Sequence, residues 1–270
     1  MKLNIHAGHN KYSTGASSVL NENNEARAVK NETIRLFKEK GHTVYDCTDE
    51  IGRTTNDNLY NIVVKCNAHK VDLDVSIHLN SGRKDTKGDG DGYTGGVEVW
   101  VYDTSSKAYE AAKRVAEKIA KELNVTNRGV KISKDFYVLR NTISPAMLIE
   151  CVFVDDVDDK EQWNAVKCAK AIYEGITNTV YVEEKYENTD VVKYIASDSK
   201  VYYMNVYKAD KLEKLSANGY TNYQLTIGTE GARNCFDSWD ENKKIATGNK
   251  KGTKPKGTKL LVRKVSGGNL

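Results

Sequence analysis

The chain has 270 residues, of which 39% are hydrophobic and 29% are charged, and its formal net charge is +4. It is long enough to bury a catalytic core of ordinary size in one large or two modest domains. No apolar stretch is long enough to span a membrane, and five cysteines without a Cys-x-x-Cys pair exclude a disulfide scaffold.

The charge is distributed unevenly along the chain. Residues 1–189 carry 26 Lys and Arg against 29 Asp and Glu, whereas residues 190–270 carry 15 against 8. A basic C-terminal part after a weakly acidic N-terminal part predicts two functions, with an anionic partner for the C-terminal part. A merely solvated lysine-rich surface explains the same counts equally well, so both interpretations stay open.

Strand and helix signals alternate from the N-terminus to about residue 176. The predicted strands are Leu3–His9, His42–Cys47, Leu73–Ile77, Gly96–Tyr102, Phe136–Leu139 and Ala146–Glu150. The predicted helices are a segment from Ala26 that stops at Gly41, then Asn58–Asn67, Ser105–Leu123 and Asp158–Ile176. This alternation predicts an α/β fold with a mainly parallel sheet flanked by helices on both faces.

The polar stretch Asn178–Asp190 is predicted to be a linker between residues 1–177 and a smaller domain at 191–270. In the second part, Val191–Val206, Thr221–Ile227 and Leu260–Val265 are predicted strands, and Lys208–Ala217 is a predicted short helix. These elements are typical of a β-rich or α+β module. No motif in this part identifies its fold.

Two histidines, His9 and His78, each follow a short apolar strand. Strand ends on one side of a parallel α/β sheet face a common crevice, where ligands bind. Two imidazoles delivered there, with a carboxylate as a third ligand, are typical of a catalytic zinc site with one open position.

The carboxylate ligand is expected from the loop that follows the first strand. Glu22 and Glu25 both qualify, because a spacing of three residues at a helix start places them near one face. Glu150 ends another apolar strand, where an acidic side chain is costly to bury without a purpose. Beside a zinc-activated water, such a residue can act first as a base and then as an acid.

Four motifs in order along the chain carry a resemblance to a known family. They are Gly8-His9, Asn21-Glu22, the segment from Ser76 to Asn80, and the segment from Pro145 to Phe153. Over roughly residues 1–176, the chain resembles the zinc-dependent N-acetylmuramoyl-L-alanine amidases of the amidase-3 type, in particular the catalytic domains of clostridial phage endolysins and autolysins. The resemblance implies a zinc amidase domain over residues 1–177.

The resemblance also implies the roles of the site residues. His9, Glu22 and His78 would bind Zn²⁺, with Glu25 as the alternative carboxylate, and Glu150 would be catalytic. Asn80 and Arg140 lie beside these motifs and are candidate contacts to peptide or sugar.

The implied reaction is hydrolysis of the amide between N-acetylmuramic acid and the L-alanine of the stem peptide in bacterial peptidoglycan. The tail at 191–270 is then expected to bind the cell wall, with anionic wall polymers as its partners. The N-terminus lacks the apolar run of a signal peptide. We therefore expect synthesis in the bacterial cytoplasm, no membrane insertion, and action at the wall after release through a holin-type partner.

Two other classes of function stay open. A non-catalytic protein that binds the cell wall or a polyanion would bind it through the basic tail. Nucleic acid is disfavoured as the ligand, because the lysines are scattered and accompany no recognised motif. A cysteine peptidase would use Cys151, next to Glu150. Adjacent strand residues point to opposite faces, however, so the thiol is expected to face the packed helices.

Overall fold

The computed structural model describes residues 1–181, 188–207, 210–217, 220–228, 232–240, 242–243 and 245–265. The chain divides into two compact units, Met1–Val182 and Glu183–Leu270. The centre of the predicted linker at 178–190 falls outside the described ranges, so the domain limits 1–177 and 191–270 stay a prediction.

The first unit is built on a mixed sheet. Its strands are β1 (Lys2–Ala7), β2 (Thr43–Asp46), β3 (Leu73–Asn80), β4 (Val97–Val101), β5 (Asn127–Ile132) and β6 (Ala146–Phe153). Within residues 1–181 the strand order is β2-β1-β3-β6-β4-β5, and neighbouring strands run parallel except β4 and β6, which are antiparallel. The predicted mainly parallel sheet is confirmed.

Helices cover both faces of this sheet. They are α1 (Glu22–Glu39), α2 (Thr55–Asn67), α3 (Tyr109–Leu123), α4 (Tyr137–Asn141), α5 (Val157–Gln162) and α6 (Ala165–Thr177). A capping box between Thr54 and Asp57 begins α2, while α3 and α6 end at Asn124 and Asn178 in the left-handed conformation. Local caps therefore set where these helices begin and end.

The two faces of the sheet differ because successive side chains of a strand point in opposite directions. One face, the core face, presents fully buried residues such as Ile5, Val75 and Ile149, and it packs against α1, α3 and α6. The other face, the cleft face, packs Ala146 and Leu148 together with residues of α2 and α4. The cleft face also carries buried polar side chains, and it positions the candidate site.

Three predicted elements of the first unit need correction. Phe136–Leu139 was expected to be a strand, but residues Tyr137–Asn141 form the short helix α4. A short apolar run does not distinguish a strand from a helical turn by periodicity. Strand β5, at the edge of the sheet, was not predicted, because Asn127–Ile132 is mostly polar and has no clear alternation.

The predicted helix Asp158–Ile176 is two helices. The chain breaks at Trp163, and the Asn164 side chain caps α6 by accepting hydrogen bonds from the Val166 and Lys167 amides at 3.1 and 3.0 Å. Val166 lies on the exposed side of α6. The Asn164 cap therefore starts a new helix where the apolar periodicity predicted a continuous one.

The second unit is an antiparallel β structure. Its strands are β7 (Asn188–Ile195), β8 (Val201–Tyr207), β9 (Lys211–Ala217), β10 (Tyr220–Thr226), β11 (Arg233–Asp240), β12 (Ile245–Lys254) and β13 (Lys259–Lys264). Among its described residues the strand order is β12-β11-β8-β7-β13-β10-β9. A β-rich and an α+β module were both consistent with the sequence of this part, and the β-rich alternative is confirmed.

Two predictions for the second unit were wrong in detail. Lys208–Ala217 was expected to contain a helix, but β9 occupies Lys211–Ala217 and pairs with β10 along its length. The predicted strand Val191–Val206 is the hairpin β7–β8, which turns between Ile195 and Val201. Long-range pairing decides both segments, and periodicity within each segment does not contain that information.

All five cysteines lie in the described ranges, and each is buried with a free thiol. They are therefore core residues. None of the helices in the described part of the chain combines the length and apolar character needed to cross a bilayer.

Candidate metal centre and catalytic cleft

The turn after β1 brings the first histidine to the edge of the sheet. The Gly8 amide donates to the Ile77 carbonyl of β3 at 2.9 Å, so the two strand ends stay together. A Cβ atom on Gly8 would lie 1.9 Å from the His78 ring. Glycine is therefore required here to leave room for that imidazole.

His9, Glu22 and His78 converge on one point. Glu22 Oε1 lies 3.1 Å from His9 Nε2 and 3.0 Å from His78 Nδ1. The two imidazole rings lie 5.1 Å apart, centroid to centroid, and are nearly perpendicular. The three side chains thus offer two nitrogens and one oxygen within 4.8 Å of one another.

Glu22 is held in place from several directions. Asn21 caps α1 by accepting from the Asn24 amide, which puts Glu22 in the first helical turn. The Ala16 amide donates to Glu22 Oε2 at 2.9 Å, and a Cβ atom on Gly15, whose φ is +70°, would lie 2.5 Å from that oxygen. The loop before the helix therefore positions Oε2, and the Leu79 amide donates to Oε1 at 3.3 Å.

The charge on Glu22 is favoured by its neighbours. Burial alone would raise the pKa of this carboxyl group, but hydrogen bonds with the His78 and His9 rings lower the pKa well below its usual range. The carboxylate is therefore ionised, as a metal ligand must be.

The donor set fits a zinc ion. Zinc bonds to imidazole nitrogen and carboxylate oxygen at about 2.0–2.2 Å, so neighbouring donors of a tetrahedral site lie about 3.3 Å apart. The two nitrogen–oxygen separations of 3.0 and 3.1 Å are close to this value. Three protein donors leave the fourth position for a water or a substrate, which is the arrangement of catalytic zinc sites.

The alternative carboxylate lies elsewhere. Glu25 Oε2 accepts a hydrogen bond from Trp163 Nε1 at 2.7 Å, which ties α1 to the segment before α6. Glu25 is not part of the histidine group. The geometry thus favours Glu22 over Glu25 as the third donor.

Glu150 lies on the cleft face one strand away from His78. The two residues are Cα partners in the β3–β6 register, and Glu98 of β4 is the partner of Glu150 on the other side. Glu150 Oε2 is inaccessible to solvent and has no hydrogen-bond partner among the described residues. Burial, followed by the charges of Glu22 and Glu98, raises the pKa of Glu150 well above its usual range.

These groups line one cleft of about 570 Å³. His9, Glu22, His78 and Glu150 form its polar part, and Leu59, Phe136, Tyr137 and Val138 are among the apolar residues that line it. A concave site with a few convergent polar groups and a carboxyl group of raised pKa is typical of an active site.

Comparison with known proteins identifies the family. Residues 3–180 match the amidase-3 family, described as N-acetylmuramoyl-L-alanine amidase. The chain belongs to this family. The match covers all four of the motifs on which the sequence resemblance rests, and it confirms that resemblance.

Individual proteins give the extent of the similarity. The catalytic domain of the CD27L endolysin targeting Clostridia Difficile shares 28% identity and a TM-score of 0.58, over 67% of this chain and 99% of that chain. An uncharacterized protein of Clostridium perfringens is 33% identical over 59% of this chain and 45% of its own length. N-acetylmuramoyl-L-alanine amidase LytC of Bacillus subtilis is 30% identical over 45% of this chain and 25% of its own length. The chain spans about half the length of the curated relatives that head this comparison.

The two candidate substrate contacts of this amidase-3 chain lie in different places. Asn80 lines the cleft, and its Nδ2 donates to Glu98 Oε1 at 2.8 Å. Arg140 is exposed on α4 and lines a separate surface depression with Tyr102 and Pro145. The structure therefore brings Asn80 to the candidate centre but not Arg140.

Cys151 is unsuited to nucleophilic catalysis in this chain. It is fully buried on the core face with Cys168. A hydrogen bond between the two thiols, followed by burial, raises the pKa of Cys151 well above its usual range. Because the thiolate is the reactive form, this cysteine lacks both access to the cleft and the required charge.

Two buried side chains near the candidate site were not singled out from the sequence. His6 lines the cleft, and burial chiefly lowers its pKa to about 3. Glu98 is buried beside Glu150 and accepts hydrogen bonds from three side chains. An acidic residue between two valines of a predicted strand was the signal that could have identified Glu98.

A cluster of three aspartates lies elsewhere in the first unit, and each accepts a hydrogen bond from a protein group. Oxygens of Asp85, Asp156 and Asp158 lie close together. Asp85 accepts from the Asp91 amide, Asp158 from the Gly92 amide, and Asp156 pairs with Arg83. These carboxylates anchor the loop before β4.

Proposed function

We propose that the chain is a zinc-dependent peptidoglycan hydrolase that cleaves the amide between N-acetylmuramic acid and L-alanine of the stem peptide. The observation that carries this proposal is the convergence of His9, Glu22 and His78 beside Glu150 in one cleft, in a chain of the N-acetylmuramoyl-L-alanine amidase family.

In this proposal His9 Nε2, His78 Nδ1 and the Glu22 carboxylate hold the zinc ion. When bound, zinc supplies a Lewis acid for the scissile carbonyl and lowers the pKa of a water towards about 7. Gly8 leaves space for the His78 ring, and Ala16 orients Glu22 through its amide. The chain thus contributes a fixed geometry before the substrate arrives.

Glu150 is the proposed proton carrier. Its carboxyl group accepts the proton of the attacking water and then delivers that proton to the departing alanine nitrogen. A pKa above the ordinary carboxyl value suits this role, because the carboxylate is then a stronger base towards the water and holds the proton until the amine leaves. Glu150 lines the same cleft as the three candidate donors, which places its carboxyl group beside them.

The second unit is proposed to bind the cell wall, with anionic wall polymers as its partners. The net positive charge of residues 190–270 supports this role, and Lys211 and Lys243 are largely exposed. An attraction of this kind weakens as salt screens the charges. Pelleting of the full chain with purified walls should therefore decrease between low salt and about 0.5 M salt, whereas retention at high salt would contradict a charge-based partner.

The reaction is tested by digesting purified peptidoglycan with the full-length protein. Mass spectrometry should find free stem peptides with a new alanine amine and unmodified glycan strands. Activity should be lost on treatment with a chelator and restored by added zinc. Release of fragments cut elsewhere, or activity that survives metal removal, would contradict the proposal. Binding to peptidoglycan without hydrolysis would instead favour the non-catalytic alternative.

A further inference from the structure

One row of side chains crosses the cleft face beyond the proposed proton carrier. Register pairs His78 with Glu150 and Glu150 with Glu98, on three neighbouring strands. The edge strand β5 continues the row at Arg128. The row therefore extends from the candidate metal centre to the edge of the sheet.

A β-bulge places Arg128 at the end of this row. Val97 pairs with Asn127 and Val99 pairs with Val130, so Arg128 and Gly129 together oppose the single residue Glu98. Gly129 has a φ of +76°, a conformation that glycine adopts without strain. Bulges of this kind redirect a side chain and often occur next to active sites.

The guanidinium group of Arg128 is held on two sides. Its Nε atom donates to Glu98 Oε2 at 2.7 Å, and its Cζ atom lies 5.0 Å from the centre of the Phe153 ring. Glu98 is itself fixed, because Oε1 accepts from Asn80 Nδ2 at 2.8 Å and from Trp100 Nε1 at 3.2 Å. The orientation of the guanidinium plane is thus set in advance.

The rest of the guanidinium group is available to a ligand. Within the described residues, the two terminal nitrogens of Arg128 donate to no protein group, and the side chain is 38% exposed. A planar guanidinium with free terminal donors binds carboxylates in a bidentate manner. Arg128 meets Glu98 through Nε alone, so this contact leaves the terminal donors unused.

From this geometry we propose that Arg128, positioned by Glu98, binds a carboxylate of the substrate on the residue that follows L-alanine. The inference rests on the proposed function, and it assigns a specificity-determining residue on the cleft face, two strands from Glu150. Glu98 acts through Arg128 and is a positioning residue.

The distances fit this assignment. Neighbouring strands are about 4.8 Å apart, so the Cα atom of Arg128 lies about 10 Å from that of Glu150. An extended peptide advances about 3.5 Å per residue, which puts a carboxylate on the next residue about 7 Å from the scissile carbonyl. The arginine side chain bridges the remaining few ångströms.

The test uses two ligands that differ in one group. They are N-acetylmuramoyl-L-alanyl-D-isoglutamate, with a free α-carboxylate, and its α-carboxamide counterpart. Binding is measured calorimetrically on the zinc-loaded full chain carrying Glu150→Gln, and kcat and KM are measured on the same chain with native Glu150. We expect the carboxylate ligand to bind at least about 10-fold more tightly than the carboxamide ligand, a difference typical of a charge-assisted bidentate pair.

Substitution of Arg128 should remove this preference. In Arg128→Met, Kd and KM for the carboxylate ligand should rise about 10-fold or more, while values for the carboxamide change less than about twofold. Arg128→Lys keeps a positive charge beside Glu98 but lacks the paired terminal donors of a guanidinium group. It should therefore lose most of the preference for the carboxylate ligand, and it provides the test if Arg128→Met is poorly folded. Arg35→Met is the matched control, because Arg35 pairs with Glu32 and Glu39 on α1, away from the cleft.

Glu98→Gln tests the positioning role. Its amide nitrogen would face Arg128 Nε in place of an acceptor, so the preference for the carboxylate should fall, and Arg128→Met should add little in the double variant. Equal losses on both ligands, or a preference that survives in Arg128→Met and Arg128→Lys, would overturn the proposal. If the protein cut neither ligand, the proposed reaction would fail, while the Kd preference would still decide the role of Arg128.

Discussion

The two faces of the six-stranded sheet use the same strands for different purposes. On the core face, Ile5, Val75 and Ile149 are fully buried among apolar neighbours. On the cleft face, the residues next to them in the chain include Asn4, Asp74 and Glu150. A one-residue alternation therefore separates the side chains that stabilise the fold from those that line the site. Substitutions on the two faces should accordingly change different properties.

The largest effect is expected from the proposed metal ligands. His78→Ala removes one of three donors, so zinc bound per protein should fall from about one to well below one half, and activity should fall at least about 1,000-fold. Zinc content by atomic emission and hydrolysis of purified walls check this. A variant that kept both metal and turnover would exclude His78 from the centre.

Glu150→Gln should separate chemistry from metal binding. The amide cannot carry the proton, so kcat should fall about 100- to 10,000-fold, while zinc content stays near that of the unmodified chain. The melting temperature should not decrease, because a buried carboxyl group with an unpartnered oxygen is replaced by a neutral group of the same shape. Loss of zinc in this variant would reassign Glu150 as a ligand.

Ile149→Ala, one residue earlier, should give the opposite result. Ile149 is fully buried on the core face, and removing its side chain leaves a cavity that costs about 2–5 kcal/mol of unfolding free energy. The kcat of the folded fraction should change little. Urea denaturation measures the unfolding free energy, and hydrolysis rates per folded molecule measure kcat. An unchanged unfolding free energy with a reduced kcat would show that the two faces are not independent.

The smallest effect concerns pH. Asp74, on the cleft face, is buried, accepts from Asn4 Nδ2 at 2.6 Å, and has a pKa raised to about 6, chiefly by burial. Because its folded pKa exceeds the ordinary value of 3.8, its contribution to stability is present below about pH 4 and is lost as the pH rises through about 6.

Asp74→Asn removes this titration. Between pH 4 and pH 7, the unfolding free energy of the unmodified chain should therefore decrease relative to the variant by about 2 kcal/mol. Urea midpoints at a series of pH values measure the difference. Parallel curves for the two proteins would contradict a raised pKa at Asp74.

The sequence contained enough information to predict the parts of the site that follow strands. His9, His78 and Glu150 each lie at or near the end of an apolar run, and parallel topology brings such ends together. The choice between Glu22 and Glu25 needed coordinates, because both occupy the first turns of α1. The pair of Glu98 and Arg128 depends on a bulge between strands that are distant in sequence, so no local pattern reveals it.

The same limit applies to the fold. Strands with a clear apolar run were predicted, whereas α4 and β9 were given the wrong type and β5 was missed. These segments are short or polar, and contacts with distant parts of the chain decide their conformation. Arg140 illustrates the difference for the site: it lies close to the motifs in sequence, but α4 directs it to another surface.

The burial of all five native thiols allows fluorescent labels to be attached at chosen positions. Because every native cysteine is buried, a cysteine introduced at an exposed position, such as Lys107 or Lys211, would react selectively with a maleimide dye. A donor and an acceptor fluorophore at these two positions would report the separation of the two units in single molecules, and its change when fragments of cell wall are added.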